Sequence, residues 1–134
     1  MNRRLLALLC LGILLSLAPA LFADETKDML IQAFILTREA SEPTHQAERA
    51  DLLKHALEIT HTIPDHHMKG HRAAAAEEMR LALDFIHDGK PEPEVKSSID
   101  RALGELRTCA GLTGTSFPGL PPIEHPTDAD PAKP

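Results

Sequence analysis

Proline and glycine divide the chain between residues 24 and 111 into four segments of about 17–20 residues. The breaks are SEPT (41–44), HTIPD (61–65) and DGKPEP (88–93). A residue before proline is driven out of the helical region, and glycine commonly ends a helix. Within each segment the apolar side chains recur three and four residues apart, as on one face of a helix, and no segment alternates as a strand does. The spacing predicts an all-α fold.

Helices of similar length joined by short connections usually run antiparallel to their neighbours. We therefore predict a small up-down antiparallel bundle of about four helices over residues 24–111, with Gly89 and Gly111 ending the third and fourth helices. A three-helix core with a loosely docked first helix is the alternative. The predicted helical segments are DETKDMLIQAFILTREAS, THQAERADLLKHALEITH, HRAAAAEEMRLALDFIHDG and PEPEVKSSIDRALGELRTCAG.

Residues 1–23 have the three-part pattern of a secretory signal peptide. MNRR supplies a positive start, an apolar run follows from Leu5 to Phe22, and small residues offer cleavage after Ala20 or Ala23. The alternative is an uncleaved anchor, since a largely apolar run of 18 residues lies at the lower limit of a membrane span. We expect cleavage, an exported protein in the periplasm or outside the cell, and no stable membrane insertion afterwards.

The expected mature chain is strongly acidic. Removal of residues 1–23 takes away two arginines and leaves 12 basic and 20 acidic side chains. Nucleic-acid binding depends on cationic contacts to phosphate, so this charge argues against a nucleic-acid partner.

Cysteine usage provides no disulfide framework. Cys10 lies in the predicted signal peptide, which leaves Cys109 alone in the mature chain. A single cysteine in a small exported domain is either a buried apolar residue or a thiol that links two chains.

The connection between the second and third segments is dense in histidine: His61, His66, His67 and His71 lie within HTIPDHHMKGHR. Neutral imidazole is a good ligand for Cu, Zn or Ni. Asp65 and Met68 would add an oxygen and a sulfur ligand. The spacing lacks a CxxC or HExxH pattern, so the signal for metal is weak.

The other interpretation of this stretch is structural. Thr62 to Asp65 resembles a capping box, which would start the third helix at Ile63. Alternatively residues 62–69 form a loop and the helix starts near Gly70. We favour the loop, with histidines that are exposed or that cap a helix.

The last part of the chain, residues 112–134, is rich in proline and ends in polar and acidic residues. Such a composition buries too little apolar surface to offset the entropy lost on ordering. We predict a disordered tail. FPGLPPIEHP within it is a candidate docking segment of polyproline type.

Residues 50–89 resemble a group of small exported bacterial proteins in which two helices flank a turn of the form H-D-x-G-G-H-R. Gly70, His71 and Arg72 stand where that pattern has G-H-R, whereas His67 replaces its Asp and Lys69 its first Gly. The resemblance implies a helical hairpin, an exported location and a structural turn at Gly70–Arg72. It also implies that His71 bonds the backbone end of the preceding helix. It implies no activity.

The sequence contains no nucleophile elbow, glycine-rich phosphate loop or haem-attachment motif. We therefore expect a non-enzymatic binding or structural module without a cofactor, which associates through helix faces with an unknown protein partner or with itself as a homo-oligomer. The alternative is a periplasmic Cu-, Zn- or Ni-binding protein that uses His61, His66, His67 and His71.

Overall fold

A computed structural model describes residues 25–120. Helix α1 covers 25–41 and is followed by a single 3-10 turn, Pro43–His45. Helices α2 (Arg49–Thr62), α3 (His71–His87) and α4 (Glu92–Thr113) complete the fold. Residues 25–120 contain no strand, so the all-α prediction is confirmed. The predicted signal peptide and the last 14 residues of the predicted tail lie outside the described residues.

Contacts at helix ends establish that neighbouring helices run in opposite directions. The Arg49 side chain at the start of α2 donates to the carbonyl of Ala40 near the end of α1, at 2.7 Å. The Thr62 hydroxyl at the other end of α2 lies 3.4 Å from the sulfur of Met29, near the start of α1. Between α3 and α4, His71 contacts Glu105 at 2.6 Å. The up-down arrangement is thus confirmed.

The first helix is a full member of the core. Leu30 and Ala33 are completely buried, and Phe34 retains 3% of its surface. The loosely docked first helix is therefore not what the chain adopts. The remaining core positions also follow helical spacing and are dominated by small and aliphatic side chains, among them Leu53, Ala56, Ala75, Met79, Ala82, Ile99, Ala102 and Leu106.

Glycine ends α3 and α4, but not at both predicted positions. Gly89 has a φ of +67°, and the Lys90 amide returns to the carbonyl of Phe85 at 2.9 Å, which is a Schellman closure. Helix α4 continues through Gly111 and ends at Gly114, whose φ is +66°. The expected end at Gly111 is wrong because Ala110 and the residues before it still pack in the core, and Gly114 is the next residue able to adopt φ > 0 at no cost.

The predicted start of the tail at residue 112 also needs correction. After Gly114 the chain folds back on α1, and Phe117 is 7% exposed. Its ring stacks on that of Phe34, with centroids 4.1 Å apart and an interplanar angle of 10°. Burial of one large aromatic side chain stabilises by about 2 kcal/mol. This energy orders a segment that composition alone predicts to be disordered.

Helix α2 starts later than expected. The predicted segment begins at Thr44, whereas the helix begins at Arg49 after the 3-10 turn and three turn residues. Before this turn, the Ser41 hydroxyl donates to the carbonyl of Arg38 at 2.6 Å at the end of α1.

Candidate functional site

The histidine-rich connection is a loop between α2 and α3, as favoured above. Ile63 ends α2 in an extended conformation (φ −69°, ψ 126°), as expected for a residue before proline. His67, Lys69 and Gly70 all have positive φ, at 64°, 51° and 84°. This succession of left-handed residues turns the chain tightly enough to start α3 at His71.

Two apolar side chains fix the loop to the bundle. Ile63 keeps 2% of its surface and Met68 none. Met68 is therefore a core residue and not the soft metal ligand that its place in the cluster suggested. With these two side chains directed inward, His66 and His67 are exposed to solvent.

The Gly-His-Arg segment joins three elements. Gly70 supplies the left-handed N-cap of α3. The His71 imidazole pairs with Glu105 of α4, Nδ1 to Oε2 at 2.6 Å. Arg72 donates to the carbonyl of Thr60 in the last turn of α2 at 3.4 Å. The contact to the end of the preceding helix, expected of His71, is thus made by its neighbour Arg72, which also lies 3.7 Å from Asp65.

The four candidate metal ligands do not meet at one point. His61, His66 and His67 are exposed, and the His71 ring is held by Glu105. Within residues 25–120, no three histidine, cysteine or acidic side chains are arranged to hold an ion. Metal binding by this cluster therefore stays a prediction without a geometric observation in its favour.

Cys109 is a free thiol with no exposed surface. Burial raises its pKa to about 11, and the nearby carboxylates of Glu105 and Asp65 add to the rise. The thiolate is the reactive form, so a thiol with this pKa is inert near neutral pH. Of the two interpretations offered by the sequence, the buried residue is the one observed in the described part of the chain.

A buried arginine is the main feature that the sequence analysis missed. The Arg49 side chain is 4% exposed and holds both carboxylate oxygens of Glu92 at 2.7 Å. The same guanidinium donates to the carbonyl of Ala40. It thereby joins the end of α1 to the starts of α2 and α4. Its position in the sequence could have indicated this burial, because Arg49 lies on the same helical stripe as Leu53, Ala56 and Thr60.

Grooves lie between neighbouring helices on the outer surface of the described bundle. One of about 370 Å³ lies between α3 and α4 and is lined by Phe85, Pro93, Glu94, Ser97 and Arg101. Another, of about 160 Å³, lies between α2 and α3. Its lining is formed by His61, Arg72, Ala73, Ala76, Glu77 and Arg80.

Comparisons with protein-family models, with curated proteins and with solved structures found no match. A search of residues 25–120 for membrane spans found no helix of sufficient length and apolarity to cross a bilayer.

Proposed function

We propose that the protein is a non-enzymatic, exported binding or structural module that acts through the outer faces of its helices, on another protein or on a second copy of itself. The observation that carries this proposal is the α3–α4 groove. Phe85 and Pro93 contribute apolar side chains to its lining, and Glu94 and Arg101 contribute charged ones. An open groove of this kind fits a ridge of side chains from a partner helix better than it encloses a small molecule.

The character of the surface indicates the strength of association. Among the described residues, Leu112 is the only large apolar side chain classed as exposed, at 39%. Stable obligate interfaces are apolar and extensive, whereas transient interfaces are polar and small. We therefore expect weak, reversible association in which Phe85 and Pro93 supply the apolar contact and the charges of Glu94 and Arg101 set the orientation.

A photo-reactive amino acid at Ser97 in the groove tests this proposal. Thr108 lies on the same helix, is exposed and does not line the groove, so it provides the matched control position. We expect crosslinks in native exported fractions from position 97 and few from position 108. Molar mass in solution, measured with and without reductant, then shows whether the captured partner is a second copy. A strict monomer with no crosslink above the control would overturn the proposal.

The exported location rests on the N-terminal sequence pattern. Cleavage at either predicted site gives a mature chain that begins at Leu21 or Asp24. Intact-mass measurement of the protein from its native host tests this expectation. A full-length chain in the membrane fraction would contradict it.

A further inference from the structure

The segment 114–120, here called the C-terminal strap, contacts α1 in a manner that resembles a bound peptide. It contains the turn Phe117–Leu120, in which the Leu120 amide donates to the carbonyl of Phe117 at 3.3 Å. Pro118 and Gly119, with a φ of +76° at Gly119, occupy the two central positions as a type II turn requires. The turn is therefore encoded by its own four residues, and any chain carrying this short motif can form it.

The complementary surface consists mainly of two side chains of α1. The Phe34 ring stacks on Phe117, and the Arg38 guanidinium lies 5.7 Å from the centroid of Phe34. Arg38 also donates to the backbone carbonyl of Pro118 at 3.4 Å. The surface thus recognises one aromatic ring and one backbone carbonyl beside a proline. The guanidinium near the aromatic ring of Phe34 adds a cation–π attraction to this surface.

The strap is anchored at its start and through its two large apolar side chains. The Thr115 amide donates to the carbonyl of Ala110 at 2.8 Å, and Phe117 and the partly buried Leu120 pack against the core. Ser116, Pro118 and Gly119 are exposed, and the Arg38 hydrogen bond is itself at the surface. Phe117 is the one strap residue with a large buried side chain. Segments with few buried contacts open at a lower free-energy cost than the core of the same protein. We therefore expect residues 116–120 to open at a lower free-energy cost than the helices of the bundle.

From these observations we infer that the Phe34–Arg38 surface of α1 is a recognition site for an aromatic-Pro-Gly turn carried by a partner protein, and that the strap occupies this site in cis. This inference rests on the proposed binding function and names the chemistry of the partner. A short tether holds the strap at an effective concentration in the millimolar range. It acts as a built-in competitor, so that only a partner with additional contacts displaces it.

Titration of the full-length, isotope-labelled protein with the peptide TSFPGL (residues 115–120), followed by NMR, tests the inference. The Phe117→Ala variant removes the ring that the strap stacks on Phe34. It should bind the peptide with shifts confined to α1 and its neighbours, at least about tenfold more tightly than the wild-type chain does, because the competent fraction of wild type is small. The matched peptide TSAPGL should not bind. In the Phe34→Ala/Phe117→Ala double variant, TSFPGL binding should fall by at least tenfold.

Phe117→Leu provides a second, milder variant that keeps apolar bulk if the alanine change unfolds the protein. No shifts in a folded Phe117 variant at millimolar TSFPGL, or shifts that persist without Phe34, would overturn the inference. A wild-type dimer that dissociates on Phe117→Ala would also overturn it, since a second copy would then be the occupant. Crosslinking at Ser97 is independent of the strap, so failure here and failure of the proposed function are distinguishable.

Discussion

Two residues other than glycine adopt a left-handed backbone conformation in the α2–α3 loop. His67 and Lys69 have φ values of 64° and 51°, in the left-handed region that costs an ordinary residue about 1 kcal/mol or more relative to glycine. Histidine is among the residue types that are enriched in this region, whereas lysine is not. We therefore expect the backbone strain of the loop to lie mainly at Lys69.

Lys69→Gly should stabilise the protein. Glycine removes the left-handed strain but increases the entropy of the unfolded chain, so we expect a net gain of about 0.5 kcal/mol in the free energy of unfolding. Lys54→Gly is the matched control, because Lys54 is an exposed residue inside α2 and should lose about 1 kcal/mol. Urea denaturation followed by circular dichroism measures both. Equal destabilisation by the two changes would contradict the assignment of strain to Lys69.

The raised pKa of Cys109 makes stability depend on pH in the alkaline range. The folded state keeps its thiol proton up to a pH of about 11, whereas the unfolded chain releases it near 9. Between these values the folded state binds more protons, so the free energy of unfolding falls as pH rises, by about 1.4 kcal/mol per pH unit. Below pH 9 the full stabilisation is present. Denaturation curves of wild type and Cys109→Ala, measured between pH 8 and 10.5, should diverge in slope; parallel curves would contradict the assignment.

At the level of elements, the sequence predicted helices well and the contacts between them poorly. Proline and glycine act locally, so the loop at residues 63–70 and the end of α3 at Gly89 follow from neighbouring residues alone. The order of residues 114–120 depends instead on Phe34, some 80 positions away, and composition cannot reveal that contact. The Pro118–Gly119 pair was nevertheless a readable signal for a type II turn.

The same distinction applies to the histidine cluster. Density along the chain suggested a ligand set, but a metal site requires side chains that converge, and Met68 is directed into the core between them. The partner of His71 is Glu105, 34 residues away, and no local pattern indicates it. Of the three residues of the predicted structural turn, Gly70 is the left-handed N-cap of α3, whereas His71 and Arg72 are the first two residues of that helix.

A metal titration distinguishes separate exposed histidines from histidines that converge on one ion. If the exposed histidines act singly, calorimetry with Cu(II), Zn(II) or Ni(II) should give affinities no tighter than tens of micromolar, because one or two unrestrained imidazoles hold an ion weakly. Under this expectation, His71→Ala should leave the weak binding unchanged and His67→Ala should reduce it only partly. Submicromolar binding that both changes abolish would establish the metal-binding alternative.

For the whole molecule, the decisive contact is the one that joins three helix ends. Arg49 connects Ala40 of α1 and Glu92 of α4 through one buried guanidinium. Its two bonds to Glu92 span 43 residues of sequence, so the contact forms only when the start of α4 lies next to the start of α2. Exposed pairs such as Arg80–Asp84 lie within one helix and stabilise it locally by a few tenths of a kcal/mol.

Arg49→Met tests whether this contact couples the bundle. Methionine fills similar space but donates no hydrogen bond. Glu92 is half-exposed and can rehydrate, so we expect a loss of about 2 kcal/mol rather than the full penalty of a broken buried pair. For a domain of this size that loss lowers the Tm by about 10 °C. Arg80→Met, which removes only exposed pairs, should change stability by about 0.5 kcal/mol or less.

Two probes of unfolding, compared in the Arg49→Met variant, test whether the helices of the bundle unfold together. Circular dichroism reports all four helices, and alkylation of Cys109 reports the opening of α4 far from the site of mutation. If Arg49 stabilises one cooperative unit, both midpoints should shift together by the same amount. A thiol midpoint that stays at the wild-type value while the helical signal shifts would show that α1 detaches alone. Arg49 would then hold one helix end to a bundle that is stable without it.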